Sequence, residues 1–213
     1  MSIDVKICGI NSPKALDAAV SGGAKMLGFV FFPKSPRAVT PVEANALMDK
    51  VPDGVSKVAL MVNPDDYDVG AVCRQLPVDL LQLHGSESIE RIADIKAITG
   101  LPVMKAVGIA GADDIARAHE YESLCERILL DAKPPKDADL PGGNALSFDW
   151  TLIAGETWQR PWMLAGGLNP GNLAEAVATS KASFVDVSSG VEDAPGQKSP
   201  AKIQEFLKLA QSL

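Results

Sequence analysis

Cys8 closes the apolar run Val5-Lys6-Ile7-Cys8, and a glycine follows it. A thiol with an ordinary pKa of about 8.5 is partly ionised at neutral pH, so a cysteine at such a place can take a proton from carbon. The competing reading is a small inert hydrophobe, and Cys73 and Cys125 are read that way. Asp131 ends a second run, Ile128-Leu129-Leu130-Asp131. A carboxyl closing a buried run is costly unless it is paired, hydrated or functional, and in an apolar setting it can keep a proton and act as an acid. Its alternative use is a helix cap or loop-ordering group. His84 ends Leu80-Leu81-Gln82-Leu83-His84 and is read first as ordering the Gly85-Ser86 turn, and second as a polar group lining a site.

Anion-binding groups accompany these. Arg37 stands in the stiff, basic segment Phe32-Pro33-Lys34-Ser35-Pro36-Arg37, where it can grip a carboxylate or phosphate through two donors. Gly166-Gly167 and Ser189-Gly190 lie in two Gly-containing segments whose backbone N–H groups can approach an anion closely. Lys6 falls on the same face as Cys8 by period-2 alternation. Its charge would favour the thiolate, but an ion pair with Asp186 on the last strand is the preferred reading.

The elements that must position these residues are legible. Strand-like runs occur at Val5–Cys8, Met26–Phe31, Lys57–Val62, Leu80–His84, Val103–Val107, Ile128–Asp131, Trp162–Ala165 and Phe184–Val187. Helical periodicity lies between them, clearest at Ile203, Phe206, Leu207 and Ala210. Ser12-Pro13, Thr40-Pro41, Asn63-Pro64, Asn169-Pro170 and Ser199-Pro200 each read as an N-cap followed by proline at the first helical position, and Glu43 completes a capping box with Thr40. Lys133–Gly143 reads as one long loop after strand six. Apolar strands alternating with helices predict a parallel sheet, and eight units in 213 residues predict one (βα)8 barrel over 1–213. No Gly-x-Gly-x-x-Gly follows the first strand, which argues against an open dinucleotide-binding sheet. In a barrel the chemistry sits at the C-terminal strand ends and the loops that follow; Cys8, Arg37, His84, Asp131, Asp186, Gly166-Gly167 and Ser189-Gly190 fall there, whereas Cys73 and Cys125 do not.

Composition agrees. Hydrophobic residues make up 46% and charged residues 22%, the balance of a soluble globular chain. The net charge of −7 disfavours nucleic acid and anionic membranes as partners. The N-terminal residues lack the layout of a signal peptide, so a cytoplasmic protein is expected, as monomer or homodimer. Three widely spaced cysteines offer no zinc spacing, and neither metal nor disulfide is expected.

The ordered set Lys6-Ile7-Cys8-Gly9, Gly28-Phe29-Val30-Phe31, Ser35-Pro36-Arg37, Gln82-Leu83-His84-Gly85, Leu130-Asp131, Ala165-Gly166-Gly167-Leu168 and Asp186-Val187-Ser188-Ser189-Gly190-Val191-Glu192 resembles the phosphoribosylanthranilate isomerases of tryptophan biosynthesis. The resemblance implies a (βα)8 barrel that carries out an Amadori rearrangement without a cofactor. It implies Cys8 as general base, Asp131 as general acid, and Arg37 as the group that binds the anthranilate carboxylate. Phosphate would be held by Gly166, Gly167, Ser189 and Gly190, with His84 and Asp186 lining the site. After strand six the family's Pro-Gly-Gly-Thr-Gly stands here as Pro141-Gly142-Gly143-Asn144-Ala145, a departure that bears on how the loop closes. Two alternatives stay open at this point. One is another phosphosugar isomerase barrel, against which Cys8 argues because that relative carries Asp there. The other is a non-catalytic phosphate-binding barrel.

Overall fold

The computed structural model describes residues 2–135 and 140–213. Eight parallel strands close into a barrel: β1 (Asp4–Cys8), β2 (Met26–Val30), β3 (Ser56–Met61), β4 (Leu80–Leu83), β5 (Val103–Ile109), β6 (Arg127–Ala132), β7 (Trp162–Leu164) and β8 (Phe184–Val187). Each pairs with its sequence neighbours, and β8 pairs back onto β1. The eight predicted strands are thus found, in the predicted barrel. The helices are α1 (Pro13–Ser21), α2 (Pro41–Met48), α3 (Asp66–Gln75), α4 (Ile89–Thr99), α5 (Ala112–Tyr121), α6 (Leu173–Ser180) and α7 (Pro200–Ser212). None is long and apolar enough to cross a membrane.

Two hydrophobic regions follow from period-2 alternation. Outward residues such as Ile7, Leu27, Phe29, Leu81 and Leu83 pack against the helices. Inward residues Val58, Leu80, Met104, Leu129, Met163 and Phe184 fill the barrel. On α7 the periodic residues Ile203, Phe206, Leu207 and Ala210 are all buried, and each large apolar side chain there contributes about 1.5–3 kcal/mol. Above the inward apolar layer the same parity brings Lys6, Cys8, Gln82, Asp131 and Asp186 into the barrel mouth, all of them buried.

Helix starts hold at Ser12, Thr40 and Ser199, including the full Thr40–Glu43 capping box. Two of the predicted starts are corrected. Helix α3 begins at Asp66 with Asp65 as its cap, because the Asn63 side chain is used elsewhere, accepting from Ser86 N at 2.8 Å. Helix α6 begins at Leu173, because Asn169 closes a local turn by accepting from Gly171 N. The sixth unit is also incomplete. Among the described residues between β6 and β7 there is a single 3-10 turn, Trp150–Ile153, in place of an α-helix. Pro134, Pro135 and Pro141 lack the N–H that a helix interior requires. The long loop expected over Lys133–Gly143 includes residues 136–139, which lie outside the described residues. A short hairpin, β9 (Glu192–Ala194) and β10 (Gln197–Lys198), follows β8 and was not anticipated.

Candidate active site

A cleft of about 660 Å³ opens at the C-terminal ends of the strands. Cys8, Arg37, His84, Asp131, Gly166, Gly167, Asp186 and Ser189 all line it. Of the predicted site residues only Gly190 does not. It sits beneath, where a Cβ would lie 1.9 Å from the Leu168 carbonyl oxygen, so it lets the loops after β7 and β8 touch.

Cys8 is fixed by its register. It pairs with Gly28 across β1 and β2, and its carbonyl accepts from the Ser188 hydroxyl at 3.1 Å. A Cβ at Gly28 would lie 2.9 Å from Cys8 Sγ and 3.0 Å from Lys6 Nζ. Only glycine therefore leaves room for the thiol and the ammonium together. Lys6 makes its predicted ion pair with Asp186 at 2.8 Å, with no exposure of its own side chain. Burial works against the Lys6 charge, but Asp186 and then Cys8 outweigh it and the net shift is upward. Burial pushes the Cys8 thiol up. Lys6 pulls it down, Asp186 pushes it up again and Lys198 pulls it down, leaving it above the ordinary thiol value. The net direction for Cys8 is upward even though Lys6 and Lys198 both favour its thiolate.

Asp131 is the penultimate residue of β6, which runs one residue beyond the expected end to Ala132. Its Oδ1 accepts from Ala132 N at 2.8 Å, and its Oδ2 lies 3.2 Å from His84 Nε2. The first reading of His84 is corrected by this geometry. Glu87 and Asn63, not His84, order the Gly85-Ser86 turn, through Gly85 N and Ser86 N. The histidine instead reaches over the barrel mouth, between Asp131 and Gln82, whose Nε2 is 3.3 Å from His84 Nδ1.

Arg37 is buried and gripped in its turn. Its Nε and one terminal nitrogen donate to the two oxygens of Glu192 at 2.8 and 2.9 Å. Lys198 holds the same carboxylate and also donates to the Ser188 carbonyl at 3.0 Å. Burial disfavours the Glu192 charge, but the Arg37 and Lys198 contacts outweigh it and keep its carboxyl below the usual range. Glu192 and Lys198 therefore fix how Arg37 faces the cleft. Neither role was read from the sequence. Glu192 stood only as the end of a loop motif, and Lys198 carried no signal, because its place depends on the unanticipated hairpin.

The cleft has two unlike ends. Val30, Phe32, Leu60 and Val62 form an apolar wall beside Cys8, suited to a flat ring, with Arg37 near it. Across from it, Gly166 and Gly167 adopt φ of 88° and 61°, in the left-handed region. Among the described residues the N–H groups of Gly166, Gly167, Ser189 and Gly190 have no protein acceptor. Backbone N–H groups left free in this way can hold an anion. Gly142 and Gly143 cover the cleft. A Cβ at Gly142 would strike Asp131 Oδ2 at 2.8 Å, and one at Gly143 would strike an Arg37 nitrogen at 2.5 Å. At the departure from the family motif, Asn144 donates to the Leu140 carbonyl at 3.1 Å, and Ala145 takes a φ of 56° that usually calls for glycine.

Comparison with known proteins bears directly on this cleft. Residues 5–209 match the family described as N-(5'phosphoribosyl)anthranilate (PRA) isomerase. The N-(5'-phosphoribosyl)anthranilate isomerase of Rhodospirillum centenum is 58% identical over the full length of both chains. The crystal structure of phosphoribosyl anthranilate isomerase from Thermotoga maritima superposes with a TM-score of 0.88 at 37% identity, covering 99% of this chain and 100% of that one. A further solved structure, with a TM-score of 0.85 at 36% identity and the same coverage, is a phosphoribosyl anthranilate isomerase in complex with reduced 1-(o-carboxyphenylamino)-1-deoxyribulose 5-phosphate. With a family match over nearly its whole length, this chain belongs to the N-(5'-phosphoribosyl)anthranilate isomerase family.

Proposed function

We propose that this barrel converts N-(5-phosphoribosyl)anthranilate into 1-(2-carboxyphenylamino)-1-deoxyribulose 5-phosphate, with Cys8 as the base and Asp131 as the acid. The observation that carries the assignment is the bipolar cleft: an apolar wall with Arg37 at one end, a backbone anion cradle at the other, and Cys8 and Asp131 at its rim. That layout suits a ligand with an aromatic carboxylate at one end and a phosphate at the other. A relative of the same fold binds a reduced form of such a compound. The closed ring of eight strands supports reading 1–213 as one domain.

The chemistry runs as a proton relay through the substrate. Asp131 gives its proton to the furanose ring oxygen, the C1–O bond breaks toward that oxygen, and the nitrogen lone pair forms a protonated imine at C1. Cys8 thiolate then takes the proton from C2, and the electrons of that C–H bond neutralise the imine to an enol-amine, which tautomerises to the ketone. The resting thiol is above its ordinary pKa, so the thiolate has to be favoured within the complex. Lys6, Lys198 and the cationic imine on the neighbouring carbon all act in that direction. Arg37 would hold the ring carboxylate, and Gly166, Gly167, Ser189 and Gly190 the phosphate.

The test is loss of substrate fluorescence with purified protein. Cys8→Ala and Asp131→Asn should each lose at least about 100-fold in kcat while binding the reduced product analogue near normally. Arg37→Ala should chiefly raise KM. Near-normal turnover by Cys8→Ala or Asp131→Asn would refute the corresponding role.

A further inference from the structure

The Gln82 side chain is fully buried at the floor of the cleft, yet its Oε1 has no partner among the described residues. Its amide nitrogen is committed to His84 Nδ1 at 3.3 Å, and His84 Nε2 lies 3.2 Å from Asp131 Oδ2. Burying an amide with an unmatched oxygen is costly, and a purely structural glutamine gives no reason to bear that cost. The chain Gln82–His84–Asp131 supplies the reason. We infer that His84, with its tautomer set by Gln82, is a positioning residue for the acid Asp131.

Gln82 Nε2–H can only donate, so His84 Nδ1 must be the bare, accepting nitrogen. The single imidazole proton then sits on Nε2 and points at Asp131 Oδ2. When Asp131 passes its proton to the substrate ring oxygen, the remaining carboxylate is held by two preorganised donors, Ala132 N on Oδ1 and His84 Nε2 on Oδ2. No proton moves through His84. It fixes the orientation of the carboxyl and meets the charge that develops on it. Gly142 keeps the pair close, since a Cβ there would lie 2.9 Å from His84 Nε2. The inference rests on Asp131 being the acid, as proposed above.

The experiment compares three variants in steady-state kinetics. His84→Leu removes the donor and should lower kcat on the order of 100-fold with KM within about 3-fold. His84→Gln places an amide N–H close to the lost Nε2–H and should recover most of that loss. Gln82→Met frees the tautomer and should cost on the order of 10-fold, again in kcat. Nitrogen NMR of the parent should show His84 with a protonated Nε2 and a bare Nδ1. The chain has only two histidines, so a His119→Asn variant assigns the signals. Equal activity of His84→Leu and His84→Gln, or a protonated Nδ1 beside a bare Nε2, would overturn the inference. If Asp131→Asn turns over normally, the acid assignment fails. If Asp131→Asn is inactive while His84→Leu is not, only the role of His84 fails.

Discussion

The Lys6–Asp186 pair offers a test in which stability and chemistry separate. Lys6 Nζ is fully buried, and Asp186 is its carboxylate partner at 2.8 Å, while the Asp186 side chain keeps 9% exposure at the cleft. Breaking a buried pair leaves an uncompensated charge, at a cost of about 3–5 kcal/mol. The two single variants should differ within that range. Lys6→Met leaves a carboxylate that the cleft can partly hydrate, so about 3 kcal/mol is expected. Asp186→Leu leaves an ammonium with no water, so about 5 kcal/mol is expected. For a chain of this size these losses lower Tm by about 6–20 °C. Lys6→Met/Asp186→Leu removes both charges and should return to within about 2 kcal/mol of the parent. Urea unfolding followed by tryptophan fluorescence gives the double-mutant cycle.

Cys8 reads the same pair electrostatically. Lys6 pulls its thiol pKa down and Asp186 pushes it up. Lys6→Met should therefore raise that pKa and slow alkylation of Cys8 by iodoacetamide, whereas Asp186→Leu should lower it and speed alkylation. Peptide mass spectrometry separates Cys8 from Cys73 and Cys125. Single variants within about 1 kcal/mol of the parent, or alkylation rates that move in the same direction, would refute the reasoning.

Further expectations concern the glycines and the buried thiol. Gly28→Ala puts a methyl against Cys8 Sγ and Lys6 Nζ, and should destabilise by about 1–3 kcal/mol with a larger fall in kcat than in substrate binding, measured by unfolding and steady-state kinetics. Gly142→Ala pushes the covering segment off Asp131 and His84, and should reduce kcat/KM with little change in Tm; unchanged kinetics would place that segment away from the reaction. Burial raises the Cys125 thiol to about 11. A raised thiol gives stability that is complete below about pH 9 and is lost as pH rises through 11, up to about 3 kcal/mol. Cys125→Ala should flatten the alkaline fall in unfolding free energy by that amount, measured by urea unfolding.

Much of this protein was legible in its residues because the barrel repeats a simple local rule. A strand buried on both faces must be apolar along its length, and a helix start must satisfy its own N–H groups, so runs and caps mark most units without reference to the rest of the chain. The polar exceptions at strand ends, Cys8, His84, Asp131 and Asp186, stood out for the same reason, and all of them line the cleft. The rule failed where a side chain had a distant partner. Asn63 gives its oxygen to Ser86, which moves the cap of α3 to Asp65, and no local pattern contains that contact. Gly28, an isolated glycine in an apolar strand, did carry a signal of close approach, although not of what approaches.

The sequence by itself therefore determined which elements form and which side chains end at the barrel mouth, since both depend on periodicity and burial within one unit. Only the tertiary structure decided how those side chains are held. The Arg37–Glu192–Lys198 cluster joins the β2 loop to the hairpin after β8, and Gln82–His84–Asp131 joins β4 to β6. Lys6 meets Asp186 across the closure of the barrel. Arg37–Glu192, His84–Asp131 and Lys6–Asp186 join residues far apart in the chain, and their sign and strength depend on distance and desolvation, which exist only once the ring has closed.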